Sequence, residues 1–187
     1  LRIIDVSSPF FPEQIGIFEQ MGGCTDLAVL EDYTFMSMGD TYGRGIGGLV
    51  SVNISNLTDP SIVRICQPGG SAYAIAIDSI YAYLVTRSYW FGPPASEGLY
   101  SFDVSDPSVP VVLGFTVNDS MRDIAVANGY AYITAGNSLQ VYDLSHPANP
   151  IRVGSVYVNT YANNIELWNN YACVTFETNI AAQGLKI

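Results

Sequence analysis

One short segment recurs along the chain, and this repetition constrains the fold more than any other feature of the sequence. The segment is clearest at 138–150, where polar and apolar residues alternate before an aspartate, a serine and two prolines three positions apart. Alternation with a period of two predicts a β-strand, and the prolines predict the turn that follows it. Copies of the segment start at Leu1, Leu49, Leu99 and Leu185. The chain is therefore predicted to be an array of one supersecondary unit.

A second recurring segment precedes the first in each repeat. It consists of an apolar run, a polar two-residue turn and a tyrosine that opens the next strand. The four tyrosines are Tyr33, Tyr81, Tyr130 and Tyr171. The turns at 128–129 and 169–170 read Asn-Gly and Asn-Asn, residues that accept the positive φ of a tight hairpin turn. Each of these segments is predicted to be a β-hairpin.

The four strands predicted for one repeat are called a, b, c and d. Strand a is the apolar run, b begins at the tyrosine, c begins at the recurrent leucine, and d follows the second proline. The length from strand c to the tyrosine of the next repeat is nearly constant, whereas the b–c connection differs in length between repeats. Variation is therefore concentrated in one loop of each repeat.

The composition favours one globular domain spanning residues 1–187, because 49% of the residues are hydrophobic and the mean hydropathy is +0.23. The net charge is −10, and Lys186 is the only lysine. This balance argues against nucleic acid, anionic membrane surfaces and acidic substrates as partners. Membrane insertion is not expected either, since no apolar run is long enough to span a bilayer.

Repeats of four short antiparallel strands are typical of β-propeller blades. The run at 139–150, Leu-Gln-Val-Tyr-Asp-Leu-Ser-His-Pro-Ala-Asn-Pro, with Ile-Ala-Val and Tyr-Ala-Tyr strands before it, resembles the LVIVD-repeat family of β-propellers. The resemblance implies an all-β fold of four-stranded antiparallel blades, about four in number, with three complete and the others split between the ends. It also implies a secreted or surface-anchored protein with an interaction role. Asn53 and Leu57 replace the family's aspartate and first proline, so the first full repeat is a divergent blade.

The chain begins and ends in strands of the same c type, at 1–6 and 184–187. A ring closed from this chain alone would have one such strand too many, so the sequence favours an arc of a larger ring. Open blade edges could then pair with another chain, and self-association is an expected contact. Alternatively, the amino-terminal c and d strands complete the last repeat as a fourth blade.

The b–c and d–a loops are predicted to share one face of the blades, and this face carries the sequence variation. Loops held on a rigid scaffold commonly bind ligands, so this face is the candidate site. One b–c loop contains Arg87, Tyr89, Trp90 and Phe91, which are suited to stacking on sugar rings or anchoring a peptide. The alternative is that Trp90 and Phe91 cover a neighbouring blade. A glycine-rich b–c loop adds two candidate contacts, Tyr42 and Arg44.

A polar cluster is predicted near the centre of the ring, where the a strands begin. Its members are Asp26, Arg122, Asp123, Asn163 and Asn164. Converging carboxylates could hold a calcium ion. The recurrence of these residues at one repeat position favours strand-end hydrogen bonds instead, and no cofactor is expected.

Two functions are consistent with these features. The first is a non-enzymatic module, extracellular or at the cell surface, that binds a protein or a carbohydrate through the b–c and d–a loops. The second is a glycoside hydrolase or lyase in which Asp26 and Asp123 act as acid and base. The only histidine, His146, lies in a proline corner on the other face, which disfavours a Ser-His-Asp triad. The binding module is preferred, because the sequence shows no catalytic constellation.

Overall fold

A computed structural model describes residues 1–19, 22–39, 47–87, 97–118, 120–177 and 184–186 of the chain. These residues form antiparallel strands joined by turns, as the alternating pattern predicts. No helix within these ranges is both long and apolar enough to cross a membrane. The strands are β1 (Arg2–Asp5), β2 (Glu13–Ile17), β3 (Gly23–Leu30), β4 (Tyr33–Gly39), β5 (Gly48–Asn53), β6 (Ser61–Cys66), β7 (Ser71–Asp78), β8 (Tyr81–Arg87), β9 (Gly98–Asp103), β10 (Val111–Val117), β11 (Met121–Ala127), β12 (Tyr130–Ala135), β13 (Ser138–Asp143), β14 (Ile151–Tyr157), β15 (Tyr161–Trp168), β16 (Tyr171–Glu177) and β17 (Gly184–Lys186).

The strands are grouped into successive antiparallel sheets that correspond to the sequence repeats. Blade 1 contains β3 to β6, blade 2 contains β7 to β10, and blade 3 contains β11 to β14, each with its strands paired in sequential order. Blade 4 contains β15 to β17, and β1 pairs with β2 in a separate two-stranded sheet. The predicted all-β architecture of complete blades and split end strands is confirmed.

Tight turns join strands a and b. In blade 3, Asn128 and Gly129 have φ values of 54° and 78°, and positive φ at both positions is what a type I′ hairpin turn requires. Asn169 in blade 4 has a φ of 53°. The hairpin prediction is therefore confirmed. The b–c connections differ much more in length than the a–b turns do. They range from residues 136–137 in blade 3 to residues 88–97 in blade 2.

The repeated aspartate at the end of strand c builds the proline corner. Asp143 accepts a 2.7 Å hydrogen bond from the backbone N–H of Ser145, and Asp103 makes the equivalent bond in blade 2. This bond stabilises the carboxylate and lowers the pKa of Asp143. In blade 1 the amide oxygen of Asn53 accepts from the N–H of Ser55 at 2.8 Å. The divergent residue leaves the corner intact, because an amide oxygen accepts this bond as a carboxylate does.

The hydrophobic core lies between neighbouring blades. The a strands are the inner strands of the blades, and one of their positions is occupied by Ile75, Ile124 and Ile165. These isoleucines pack toward the preceding blade, while Ala76 and Ala125 pack toward the following one. Large residues on one side and small ones on the other allow consecutive sheets to interdigitate. The period-two pattern of the a strands therefore encodes both interfaces of each blade.

The outer strand of one blade fits closely against the corner of the next. A Cβ on Gly114 in β10 would lie 1.9 Å from the backbone oxygen of Ala148 in the corner of blade 3. Gly16 in β2 has the same relation, also 1.9 Å, to the backbone oxygen of Leu57 in blade 1. The β1–β2 pair thus packs on blade 1 as outer strands pack on a following blade. Within the described ranges β17 pairs with β16, so the structure does not show the amino-terminal strands completing the last repeat.

Candidate functional site

The amino-terminal halves of the inner strands β3, β7, β11 and β15 surround a cavity of about 590 Å³. One repeat position contributes a lining residue from each of the four blades: Thr25, Tyr73, Arg122 and Asn163. The next position contributes Asp26, Asp123 and Asn164. Arg87, the last residue of β8, also lines the cavity. Equivalent positions of the four repeats therefore form the wall of one cavity.

The cavity lies on the face that carries the b–c and d–a loops. The inner strands begin at this face, and β8 leads from it into a b–c loop. Five residues predicted for the site are brought together around the cavity: Asp26, Arg87, Arg122, Asp123 and Asn164. The other five lie outside the described residues: Tyr42, Arg44, Tyr89, Trp90 and Phe91. Arg87, predicted as part of the aromatic loop, thus belongs to the same cavity as the inner-strand cluster.

Asp26 connects blades 1 and 2. Its Oδ1 accepts a 2.8 Å hydrogen bond from the backbone N–H of Leu27, and its Oδ2 accepts one of 2.9 Å from the N–H of Ile75 in blade 2. Each oxygen of this carboxylate therefore satisfies one amide, and the two amides belong to neighbouring inner strands.

Asp123 repeats this arrangement between blades 3 and 4. Its Oδ1 accepts from the N–H of Ile124 at 2.9 Å, and its Oδ2 accepts from the N–H of Ile165 at 2.8 Å. Two aspartates thus accept hydrogen bonds from the equivalent backbone N–H of all four inner strands. This explains why Ala74 in blade 2 and Asn164 in blade 4 stand where the other two blades have aspartate.

Burial raises the pKa of Asp123 above its ordinary value of 3.8, and the negative charge of Asp26 adds to the rise. The hydrogen bonds from Ile165, Ile124 and the Asn164 side chain act in the opposite direction. The strand-end hydrogen bonds expected for this cluster are therefore present. Within the described ranges, no three acidic, histidine or cysteine side chains form a group suited to a metal ion.

The two arginines of the cavity are each held by neighbouring uncharged groups. The guanidinium carbon of Arg87 lies 5.0 Å from the centre of the Tyr73 ring. Arg122 donates a 2.5 Å hydrogen bond from Nη1 to Oδ1 of Asn163, and its guanidinium carbon lies 5.8 Å from the Tyr161 ring centre. Each arginine is thus held in the wall of the cavity by an uncharged side chain, Tyr73 for Arg87 and Asn163 for Arg122.

Sequence reasoning missed Thr25, Tyr73 and Glu166, which also line the cavity. The available signal was positional, because Thr25 and Tyr73 precede the aspartate position of their repeats, as Arg122 does. The Ser145–His146 pair does not line the cavity. Its Oγ to Nδ1 distance is 3.1 Å, but both side chains are exposed in a proline corner on the opposite face.

Comparison with protein families agrees with this architecture. Residues 21–67 and 120–158 match the LVIVD repeat family. These two segments include blades 1 and 3, the blades that supply the bridging aspartates. The chain is a β-propeller in which two segments match the LVIVD repeat. No curated protein matches its sequence.

Solved structures resemble this propeller in fold. The computationally designed Ika4 protein has 11% identity and a TM-score of 0.60, over 90% of this chain and 92% of that one. A chain of a nidogen/laminin complex has 13% identity and a TM-score of 0.59, over 88% and 60% of the two chains. The glutaminyl cyclase of Myxococcus xanthus has 17% identity and a TM-score of 0.56, over 83% and 62%. The propeller thus spans less than two thirds of the last two chains, and the similarity concerns the fold alone.

Proposed function

We propose that this LVIVD propeller is a non-enzymatic binding module, working outside the cell or at its surface, that takes a carbohydrate in the cavity between its inner strands. The observation that carries the proposal is the convergence of polar side chains from four blades on one cavity of about 590 Å³. That volume falls in the range of roughly 300–1,000 Å³ common for small-molecule sites. The cavity is on the face whose loops vary between repeats, where binding is expected.

The chemistry of the cavity suits sugar hydroxyls. A hydroxyl both donates and accepts hydrogen bonds, and the cavity offers guanidinium and amide donors beside carboxylate and amide acceptors. Tyr73 and the nearby Tyr161 add aromatic rings, on which the apolar face of a sugar can stack. A protein segment bound on the same face is the competing outcome.

Catalysis by Asp26 and Asp123 is the second candidate, favoured by the raised pKa of Asp123 and the influence of the Asp26 charge on it. Against catalysis, every oxygen of the two carboxylates already accepts a backbone N–H. Groups tied in this way serve to hold strands together. Release of reducing sugar ends from a glycan by the purified protein would favour the catalytic candidate instead.

The setting outside the cell is supported by the acidic, lysine-poor composition and by the family resemblance. Protease treatment of intact cells tests it directly. We expect the protein to be digested while a cytoplasmic marker survives. Protection of the protein in intact cells would contradict the proposed location.

Binding is tested on an array of glycans and peptides with two matched tyrosine variants. Tyr73→Leu removes the ring beside Arg87 but retains apolar bulk, and we expect roughly tenfold weaker glycan binding from the lost aromatic contact. Tyr130→Leu, on the opposite face at the a–b turn of blade 3, should bind like the wild type. Binding of peptides only would replace carbohydrate by protein as the ligand. Absence of all binding would contradict the proposed function.

A further inference from the structure

The charge of the cavity differs from the charge of the chain. The chain has seven lysine and arginine residues against seventeen aspartate and glutamate residues. Two of those seven basic residues, Arg87 and Arg122, line this one cavity. Net charge describes the average field of the surface, whereas recognition depends on the groups that touch the ligand. The net negative charge of the chain argues against acidic ligands in general, but this argument does not apply to the cavity.

Both guanidinium groups are positioned before a ligand arrives. Arg87 lies over the Tyr73 ring, and Arg122 is bonded to Oδ1 of Asn163. A guanidinium group held in this way loses less conformational entropy on binding, and its planar fork matches the two oxygens of a carboxylate. Tyr73 and Asn163 carry no charge, so these contacts do not neutralise the positive charge that would attract a ligand carboxylate.

The acidic groups of the cavity limit which anions fit. Asp26, Asp123 and Glu166 line the same space as the two arginines. A ligand with anionic groups at every position would meet these carboxylates and be repelled. A sugar acid has one carboxylate and several hydroxyl groups on each ring. Its hydroxyls can donate to the carboxylate oxygens, which retain acceptor capacity beyond their one backbone bond.

We infer that the ligand of this cavity is an acidic carbohydrate built from uronic acid units, whose carboxylate binds the forks of Arg87 and Arg122 and whose hydroxyls donate to the acidic residues. This inference rests on the proposed function and specifies the ligand class of the same site. In this arrangement the two arginines determine the specificity for acidic sugars. The aspartates hold the blades together and make additional contacts with the sugar hydroxyls.

The test uses calorimetry with the full chain and oligomers of galacturonate, mannuronate and glucuronate, each compared with its methyl ester. We expect at least one free acid to bind, and its ester to bind about tenfold or more weakly, because hydrogen bonds between charged groups are lost. Arg122→Gln should lower affinity for the free acid to a similar extent and change affinity for the ester little. Arg122→Lys retains the charge but loses the fork, and it should fall between Arg122→Gln and the wild type.

The matched control is Arg152→Gln, which removes an exposed arginine of β14 that does not line the cavity. It should bind like the wild type, and far-ultraviolet circular dichroism should show the same fold for every variant. Equal binding of acids and esters, with no effect of Arg122→Gln, would overturn the acidic-sugar inference and leave the proposed carbohydrate site standing. Absence of binding to any acidic or neutral glycan would overturn both.

Discussion

The carboxylate of Asp123 in blade 3 accepts a 2.8 Å hydrogen bond from the backbone N–H of Ile165 in blade 4. The same carboxylate accepts from its own blade through Ile124, and Asp26 connects blades 1 and 2 by the same geometry. The inner strands are therefore joined by side chains as well as by their apolar interfaces. Since these joints lie in the wall of the cavity, they set its shape before any ligand binds.

Removing an aspartate that connects two neighbouring blades should destabilise the protein. Asp123→Ala leaves the N–H groups of Ile124 and Ile165 without this acceptor, and an unsatisfied buried donor costs about 1–3 kcal/mol. We expect the free energy of unfolding, measured in urea, to fall by about that amount. Asp59→Ala, at an exposed corner of blade 1, is the control and should change little. Equal stability of the two variants would show that the joint contributes nothing.

Adding an aspartate at the equivalent position of blade 2 should also destabilise. Both neighbouring amides, on Ile75 and Ile124, already have carboxylate acceptors, so Ala74→Asp would bury a third charge without a donor. We expect a loss of at least about 1–3 kcal/mol at neutral pH. The loss should shrink in acid as the new carboxyl is protonated. Ala74→Ser is the neutral control. Increased stability of Ala74→Asp would contradict the shared use of two carboxylates by four blades.

The strands and turns could be predicted because their signals are local and recur in every repeat. Alternation defines the inner strands, and Asn128-Gly129 defines a hairpin without reference to the rest of the chain. The joints between blades could not be predicted in the same way. One carboxylate accepts hydrogen bonds from two repeats, so the aspartate occurs in only two of the four repeats. From the sequence alone, Ala74 therefore looks like the loss of a repeated residue. The reason for the alanine is the short distance between neighbouring blades, which the sequence does not contain.

Two glycines at equivalent positions should respond differently to the same substitution. Gly114→Ala places a methyl group against the backbone oxygen of Ala148, and relief of that clash requires blades 2 and 3 to move apart. We expect a cost of about 1–3 kcal/mol in thermal or urea unfolding. A Cβ on Gly154 would have Val141 atoms at 3.8 Å as its nearest neighbours, so Gly154→Ala should stay within about 1 kcal/mol of the wild type. The reverse order would contradict the packing of outer strands on corners.

The aspartates of the two repeat positions should titrate on opposite sides of 3.8. Burial raises the pKa of Asp123, whereas the hydrogen bond from Ser145 lowers the pKa of Asp143. A raised carboxyl pKa contributes stability below pH 3.8 that is lost as the pH rises through the folded-state value. A lowered one contributes stability above pH 3.8 that is lost as the pH falls through its folded-state value. Carboxyl carbon NMR should therefore find Asp123 titrating above Asp143, and the opposite order would refute the assigned environments.

The candidate site was only partly predictable for a related reason. Asp26, Asp123 and Arg122 stood out because charged residues in an apolar strand are conspicuous. Tyr73 did not, because the position it shares with Thr25 carries different chemistry in each blade and shows no recurrent motif. Its role follows from the arrangement of the blades, which places that position of all four blades at one cavity.

The binding cavity is tested most directly by following the backbone amides by NMR while the uronate oligomers are added. We expect shift changes to centre on the amides of Ile75, Ile124 and Ile165, in the inner strands at the cavity. The amides of Ser105 and Ser145, in the corners of the opposite face, should stay unchanged. Shift changes concentrated in the corners, with the inner-strand amides unaffected, would contradict the claim that the blades are assembled around a binding cavity.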